Sequence, residues 1–153
     1  MVGHIIESVY PRAAWTVDNL PVKFDNVSTK VSSGKNDVAK RIKAELLRSD
    51  VDEVVNAGDA DAEGSLLVYE LYEHFNILNS GKKFTRMWML ANDAKTIKAS
   101  YDARFNQTDD MKYVNTAKAR AEADVKIGFN FSQLFTLKNG KYGETISIGR
   151  VMT

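Results

Sequence analysis

The chain has 153 residues, a mass of 17.1 kDa, 44% hydrophobic and 27% charged residues. That is the size and composition of one ordinary α/β domain, and it excludes a wholly disordered or collagen-like chain. Cysteine is absent and only two histidines occur, His4 and His74, seventy positions apart, which excludes disulfides, thiolate-bound zinc, iron–sulfur clusters and a Cys nucleophile, and argues against a His-rich metal site. No run approaches the roughly 18 apolar residues of a membrane helix, and no basic-then-apolar secretory leader opens the chain. A cytoplasmic protein that avoids the membrane is the expectation.

The net charge of +1 hides an asymmetry. Residues 1–50 carry 8 basic and 6 acidic groups, 51–110 carry 6 and 11, and 111–153 carry 7 and 3. An acidic middle followed by a basic end is compatible with a metal and a polyanion bound by one chain.

In chain order, residues 2–9 are β-prone, and an irregular stretch bracketed by Pro11 and Pro21 runs to about Gly34. Asn36 is placed to cap a helix through Arg48, with Val38, Ile42 and Leu46 on one face. Residues 53–57 read as a short buried strand, 58–64 as a turn, and 63–77 as a second helix with Leu67, Leu71 and Phe75 along its apolar stripe. A strand over 84–90 and a helix over 93–105, capped by Asn92, come next. Alternating strands and helices predict a parallel sheet with crossover helices. A long helical pattern then covers 110–137, with a break near Gly128, and 144–152 is extended after the Asn139-Gly140 turn. A domain boundary is expected near 106–110, dividing the chain into 1–108 and 109–153.

The strongest chemical signal is Asp59-Ala60-Asp61-Ala62-Glu63-Gly64, directly after an apolar strand and directly before a helix. In open α/β sheets ligands collect at the carboxyl ends of strands. Asp59, Asp61 and Glu63 there suit a hard cation with oxygen ligands, and magnesium typically takes one or two carboxylates and fills its other positions with water or phosphate. The same residues would also serve as an ordinary acidic helix N-terminus. They do not match a calcium EF-hand loop.

The run Asn56–Gly64 resembles the Toprim acidic motif of type IA DNA topoisomerases, closest to the topoisomerase III branch. Further blocks follow in the family's order. Gly3-His4-Ile5-Ile6-Glu7, with Trp15 and Leu20-Pro21, resembles the family's Gly-His-Leu block before its Leu-Pro. Ala119-Arg120, Asp124, Gly128, Asn130 and Ser132 resemble the helix linking the Toprim domain to the DNA-binding part. Ser147-Ile148-Gly149-Arg150-Val151-Met152-Thr153 resembles its Gly-Arg-Val-Gln-Thr block.

The resemblance implies a Toprim-like sheet missing its first strand, followed by a mostly helical extension. It implies a parent enzyme that cuts one DNA strand with a tyrosine, passes another strand and reseals, with magnesium and without ATP. Asp59, Asp61 and Glu63 become the catalytic and metal-holding acids. Arg120, Asp124 and Arg150 become contacts to DNA, mainly single-stranded, in a nucleoid-associated enzyme. The family's usual Arg after the second Asp is Ala62 here, its Gly-Glu or Gly-Gln is Gly64-Ser65, and its last-block Gln is Met152. The family's Glu-bearing first strand and its nucleophilic tyrosine correspond to no block of this sequence. The expectation is an internal, inactive fragment that self-associates or pairs with a complementary topoisomerase fragment. The alternatives are a non-catalytic DNA-binding or accessory module with a degenerate centre, and a Toprim nuclease or primase.

Tyr10-Pro11-Arg12 imitates the family's catalytic Tyr-Pro-Arg, but Ala13-Ala14 follow and the block precedes the acidic motif, so Tyr10 is read as structural. Phe129, Phe131, Phe135, Trp15 and Trp88 are read as core, and His4 as a buried, hydrogen-bonded or turn residue, a catalytic proton role for it having no visible partner.

Overall fold

The computed structural model describes residues 3–10, 14–25, 27–141 and 143–149. Two compact units emerge, one of Met1–Ser8 and Thr29–Ala117, the other of Val9–Ser28 and Lys118–Thr153.

The first unit holds the sheets, apart from Val9 and Ser28 at the ends of two strands. Strand β1 (Ile6–Val9) pairs with β2 (Ser28–Val31), a strand inside the stretch read as irregular. Helix α1 (Asn36–Leu46) is capped one residue earlier than the expected Asn36: Lys35 is the N-cap and makes no side-chain cap bond. Strand β3 (Glu53–Asn56), helix α2 (Ala62–His74) and strand β4 (Lys83–Arg86) form a β-α-β unit. β3 and β4 are parallel, with Val54 opposite Phe84 and Asn56 opposite Arg86. Helix α3 (Ala94–Asp102) is capped by Asp93, whose carboxylate accepts the Thr96 N–H at 3.0 Å, one residue beyond the expected Asn92. Strand β5 (Phe105–Asn106) adds antiparallel to β4, so the sheet of order β3-β4-β5 is mixed and not wholly parallel. Two residues are too few to show an alternating pattern, which is why β5 escapes a sequence reading. β3 stands at the sheet's edge.

Two apolar clusters hold this unit. Ile5, Ile6, Ala39 and Leu71 are buried together, with Val31, Val38, Ile42 and Phe75 against them. Val38 and Ile42 of the predicted α1 stripe and Leu71 and Phe75 of the predicted α2 stripe thus meet in one core. Leu66, Val114 and Ala117 form the second cluster, joined by Ala62, Tyr69 and Met111. Val114 and Ala117 lie on α4 (Gln107–Asn139), a 33-residue helix that runs without a break through Gly128. Its first part, to Ala117, belongs to the first unit and its remainder to the second.

The second unit is organised by side chains that bond to backbone. Asn130 on α4 accepts the Val22 N–H at 2.6 Å and donates to the Val22 carbonyl at 3.2 Å. Thr136 accepts the Ile146 N–H at 2.9 Å, and Ser132 accepts the Ile148 N–H at 2.8 Å. Of the segment expected to be extended over 144–152, residues 144–149 are described: they are seated on α4 through Ile146 and Ile148 and form no strand. Gly128 lies next on that face: a Cβ there would meet the Ile148 carbonyl oxygen at 3.2 Å. Phe24 is buried between Tyr10, at 5.6 Å, and Phe129, at 5.4 Å, both edge to face.

Candidate functional site

Asn56 ends β3 fully buried, and its carboxamide oxygen accepts the Gly58 N–H at 3.0 Å, turning the chain out of the sheet. The Asp61 N–H then donates to the Asp59 carbonyl at 2.8 Å, and the Asp61 carboxylate accepts the Gly64 N–H at 2.7 Å as the N-cap of α2. A cap of this type contributes about 1 kcal/mol to its helix. Both glycines are required by close approach. A Cβ on Gly64 would lie 2.3 Å from the Asp59 carbonyl oxygen, and one on Gly58 would lie 2.4 Å from the Gly64 oxygen. The turn continues the sheet's parallel order through a bridge between Asp59 and Met89.

Asp59, Asp61 and Glu63 are all exposed on this one turn. Glu63 pairs with His4 Nε2 at 3.1 Å, and both side chains are 58% exposed. His4 is therefore exposed and not buried, and Glu63 is the partner that the sequence did not make visible. Residues 59 positions apart cannot be paired by spacing alone, so only the fold could reveal this contact. Among the described residues, no three His, Asp or Glu side chains already converge into a ready-made metal cage. Exposed carboxylates at the carboxyl end of a parallel strand still suit magnesium, which needs one or two of them and keeps water in its remaining positions.

Beneath the turn lies a buried polar assembly that the sequence reading missed. Arg86 is fully buried at the end of β4. Its Nη1 donates to the carbonyls of Gly58 and Met87, each at 2.8 Å, and of Asn56 at 3.2 Å. Its Nη2 donates to the Asp59 carbonyl at 2.5 Å. The Arg86 Nε stands 3.5 Å from Asp110 Oδ2, and Asp110 is also fully buried. The Asp110 carboxylate is fixed by Ser65 Oγ at 3.1 Å and by Gln107 Nε2 at 3.0 Å. Burial pushes the Arg86 pKa down, and the Asp110 charge opposes that shift. The guanidinium also lies 4.8 Å from the Trp88 ring, which packs tilted by 35° against Tyr113 at 4.8 Å. The available signal was a lone arginine inside the apolar strand pattern of 84–90.

The other singled-out residues lie in the second unit. Arg120 is exposed on α4 and Asp124 is half-buried on the same helix, one turn on. Arg150 lies outside the described residues. Phe129 packs as expected, whereas Phe131 and Phe135 are 46% and 42% exposed and Trp15 is 43% exposed, against their reading as core. Tyr10 is engaged with Phe24.

The chain belongs to the Toprim family: the Toprim domain matches residues 1–107. The chain is similar to type IA topoisomerases over almost its full length. It is 30% identical to DNA topoisomerase 1 of Alkalihalophilus pseudofirmus, over 99% of this chain and 23% of that protein. It is 28% identical to DNA topoisomerase 3 of Bacillus licheniformis, over 99% of this chain and 21% of that protein. The solved structure of full-length topoisomerase I from Thermotoga maritima superposes on 97% of this chain and 23% of its own, with a TM-score of 0.67 and 25% identity. The chain thus spans less than a quarter of the length of these relatives.

Proposed function

We propose that this chain supplies the metal-and-phosphate part of a type IA topoisomerase, acting on DNA with magnesium and without ATP. The observation that carries the reading is the acidic turn: Asp59, Asp61 and Glu63 exposed together at the carboxyl end of a parallel strand, on a backbone braced from below. Asp59 and Asp61 would hold magnesium with water and phosphate oxygens, and Glu63 is the third acid of the set. When bound, the metal neutralises charge on a DNA phosphate and stabilises the leaving oxygen. Asp61 keeps α2 capped while presenting its carboxylate. In the second unit, Arg120 contacts backbone phosphate of a single strand, with Asp124 and Arg150 as further contacts. We divide these roles at about residue 108, with 1–108 as Toprim domain and 109–153 as the start of the DNA-binding part.

The nucleophilic tyrosine is not among the residues assigned here: the aromatic contact of Tyr10 with Phe24 supports a structural role for it. The chain alone is accordingly expected neither to cleave DNA nor to change its linking number. The edge position of β3 supports self-association, or pairing with a complementary topoisomerase segment.

A second reading, an accessory module with a degenerate centre, is favoured by Ala62. It packs against the cluster of Leu66, Val114 and Ala117 and offers no charged donor beside the phosphate.

An NMR titration with magnesium decides between the two. Shifts at 58–64 that vanish in Asp59→Asn/Asp61→Asn support the metal site. An unchanged double variant places the metal elsewhere and sinks the first reading. Incubation with supercoiled DNA and magnesium followed by denaturation tests inactivity, and an adduct lost in Tyr10→Phe would overturn it.

A further inference from the structure

We propose that Arg86 is a positioning residue for the acidic turn, setting where the Asp59 and Asp61 carboxylates stand by gathering the carbonyls of the backbone that carries them. This rests on the magnesium reading above.

Three of the four carbonyls that Arg86 binds, those of Asn56, Gly58 and Asp59, belong to the path from β3 into the turn. An arginine offers five donors in a rigid planar fork, so one side chain can fix several carbonyls at once. Behind the fork stands an ion-pair partner, 3.5 Å from Nε and outside hydrogen-bond geometry. Asp110 faces Nε, Ser65 and Gln107 orient Asp110, and Asn56 bonds Gln107 at 3.4 Å. Ser65 Oγ also lies 3.0 Å from the Asp61 carbonyl and shares its one proton between that oxygen and Asp110, which closes the assembly onto the turn. Every side chain in it is buried and every acidic group above it is exposed. A buried charged pair is costly to assemble and contributes little net stability compared with apolar packing. Its use here is geometric: it turns the exit of the strand into a fixed platform for two exposed carboxylates.

Lysine keeps the charge but not the fork. Arg86→Lys is therefore expected to weaken magnesium binding about tenfold, the scale of losing a group that holds a metal ligand in place. Ile6→Ala, in the separate apolar cluster, serves as a control of reduced stability and should leave magnesium binding unchanged. Without metal, the Asp61 and Gly64 amides should exchange with deuterium faster in Arg86→Lys than in wild type or Ile6→Ala. Unchanged exchange in a folded Arg86→Lys overturns the positioning role, whatever becomes of the magnesium reading. Faster exchange with unchanged magnesium affinity overturns its link to the metal. If Arg86→Lys does not fold, Asp110→Asn, which keeps the shape and removes the charge behind the fork, carries the same comparison. Failure of the magnesium reading shows separately, as wild-type shifts that persist in Asp59→Asn/Asp61→Asn.

Discussion

The acidic turn and the far half of α4 solve the same problem, placing charged groups in water, by opposite means. Under the turn, Asn56, Ser65, Arg86, Gln107 and Asp110 are buried and bonded mainly to each other and to the backbone above. Along α4 from Lys118, the polar residues Asn130, Ser132 and Thr136 reach outward to the backbone of other segments, while Ile127, Phe131 and Phe135 stay exposed. The first arrangement makes position depend on a closed network whose members fail together. The second makes it depend on separate hydrogen bonds to a regular helix, each removable by itself. Buried networks are strongly coupled in this way because an unpaired member is left in a low-dielectric interior.

Substitutions can break that contrast. Gly64→Ala should be the most damaging, by about 4 kcal/mol or more, since its Cβ would meet backbone atoms of Asp59 that cannot yield. Urea denaturation followed by circular dichroism reads this directly. Arg86→Met leaves Asp110 buried and uncompensated, and a loss of about 3–5 kcal/mol is expected in the same assay. Asn130→Ala frees the backbone N–H and C=O of Val22 and should cost about 1–3 kcal/mol, without changing amide exchange at the acidic turn. Coupled losses in a double variant of Asn130 and Ser132 would contradict their independence.

Smaller effects sharpen the comparison. Arg104 and Thr85 hydrogen-bond the Glu53 carboxylate and hold its pKa at about 2, below its ordinary 4.5. Because the folded-state value is lowered, the stabilisation is complete above pH 4.5 and is lost as pH falls toward 2. Glu53→Gln should remove that part of the acid sensitivity in a pH series of thermal melts. Gly128→Ala should be nearly neutral, because a gain of up to about 1 kcal/mol in helix propensity is set against the tight contact with Ile148. Arg120→Ala, on an exposed helix surface, should leave stability within about 0.5 kcal/mol. It should flatten the negative slope of log affinity against log salt for single-stranded DNA by about 0.7, the value of one phosphate contact.

The sequence by itself carried the helices and the parallel strand pair, because α1, α2 and α4 are long enough for apolar spacing to show and β3 is bounded by turn residues. It carried the acidic turn, because Asp59, Asp61 and Glu63 lie within five consecutive positions and Gly58 and Gly64 punctuate them. Tertiary structure alone decided what stands beneath and beside that turn. Arg86 and Asp110 are 24 residues apart and Glu63 and His4 are 59 apart, separations that no local pattern encodes. Nor could periodicity find β5, too short to alternate, or tell that Phe131 and Phe135 lie at the surface while Phe129 lies against Phe24. Apolar spacing fixes which residues share a face of a helix, but which face meets another segment is settled only when that segment arrives. Here it is the backbone pairing of Asn130 with Val22 and of Ser132 with Ile148 that brings those segments in.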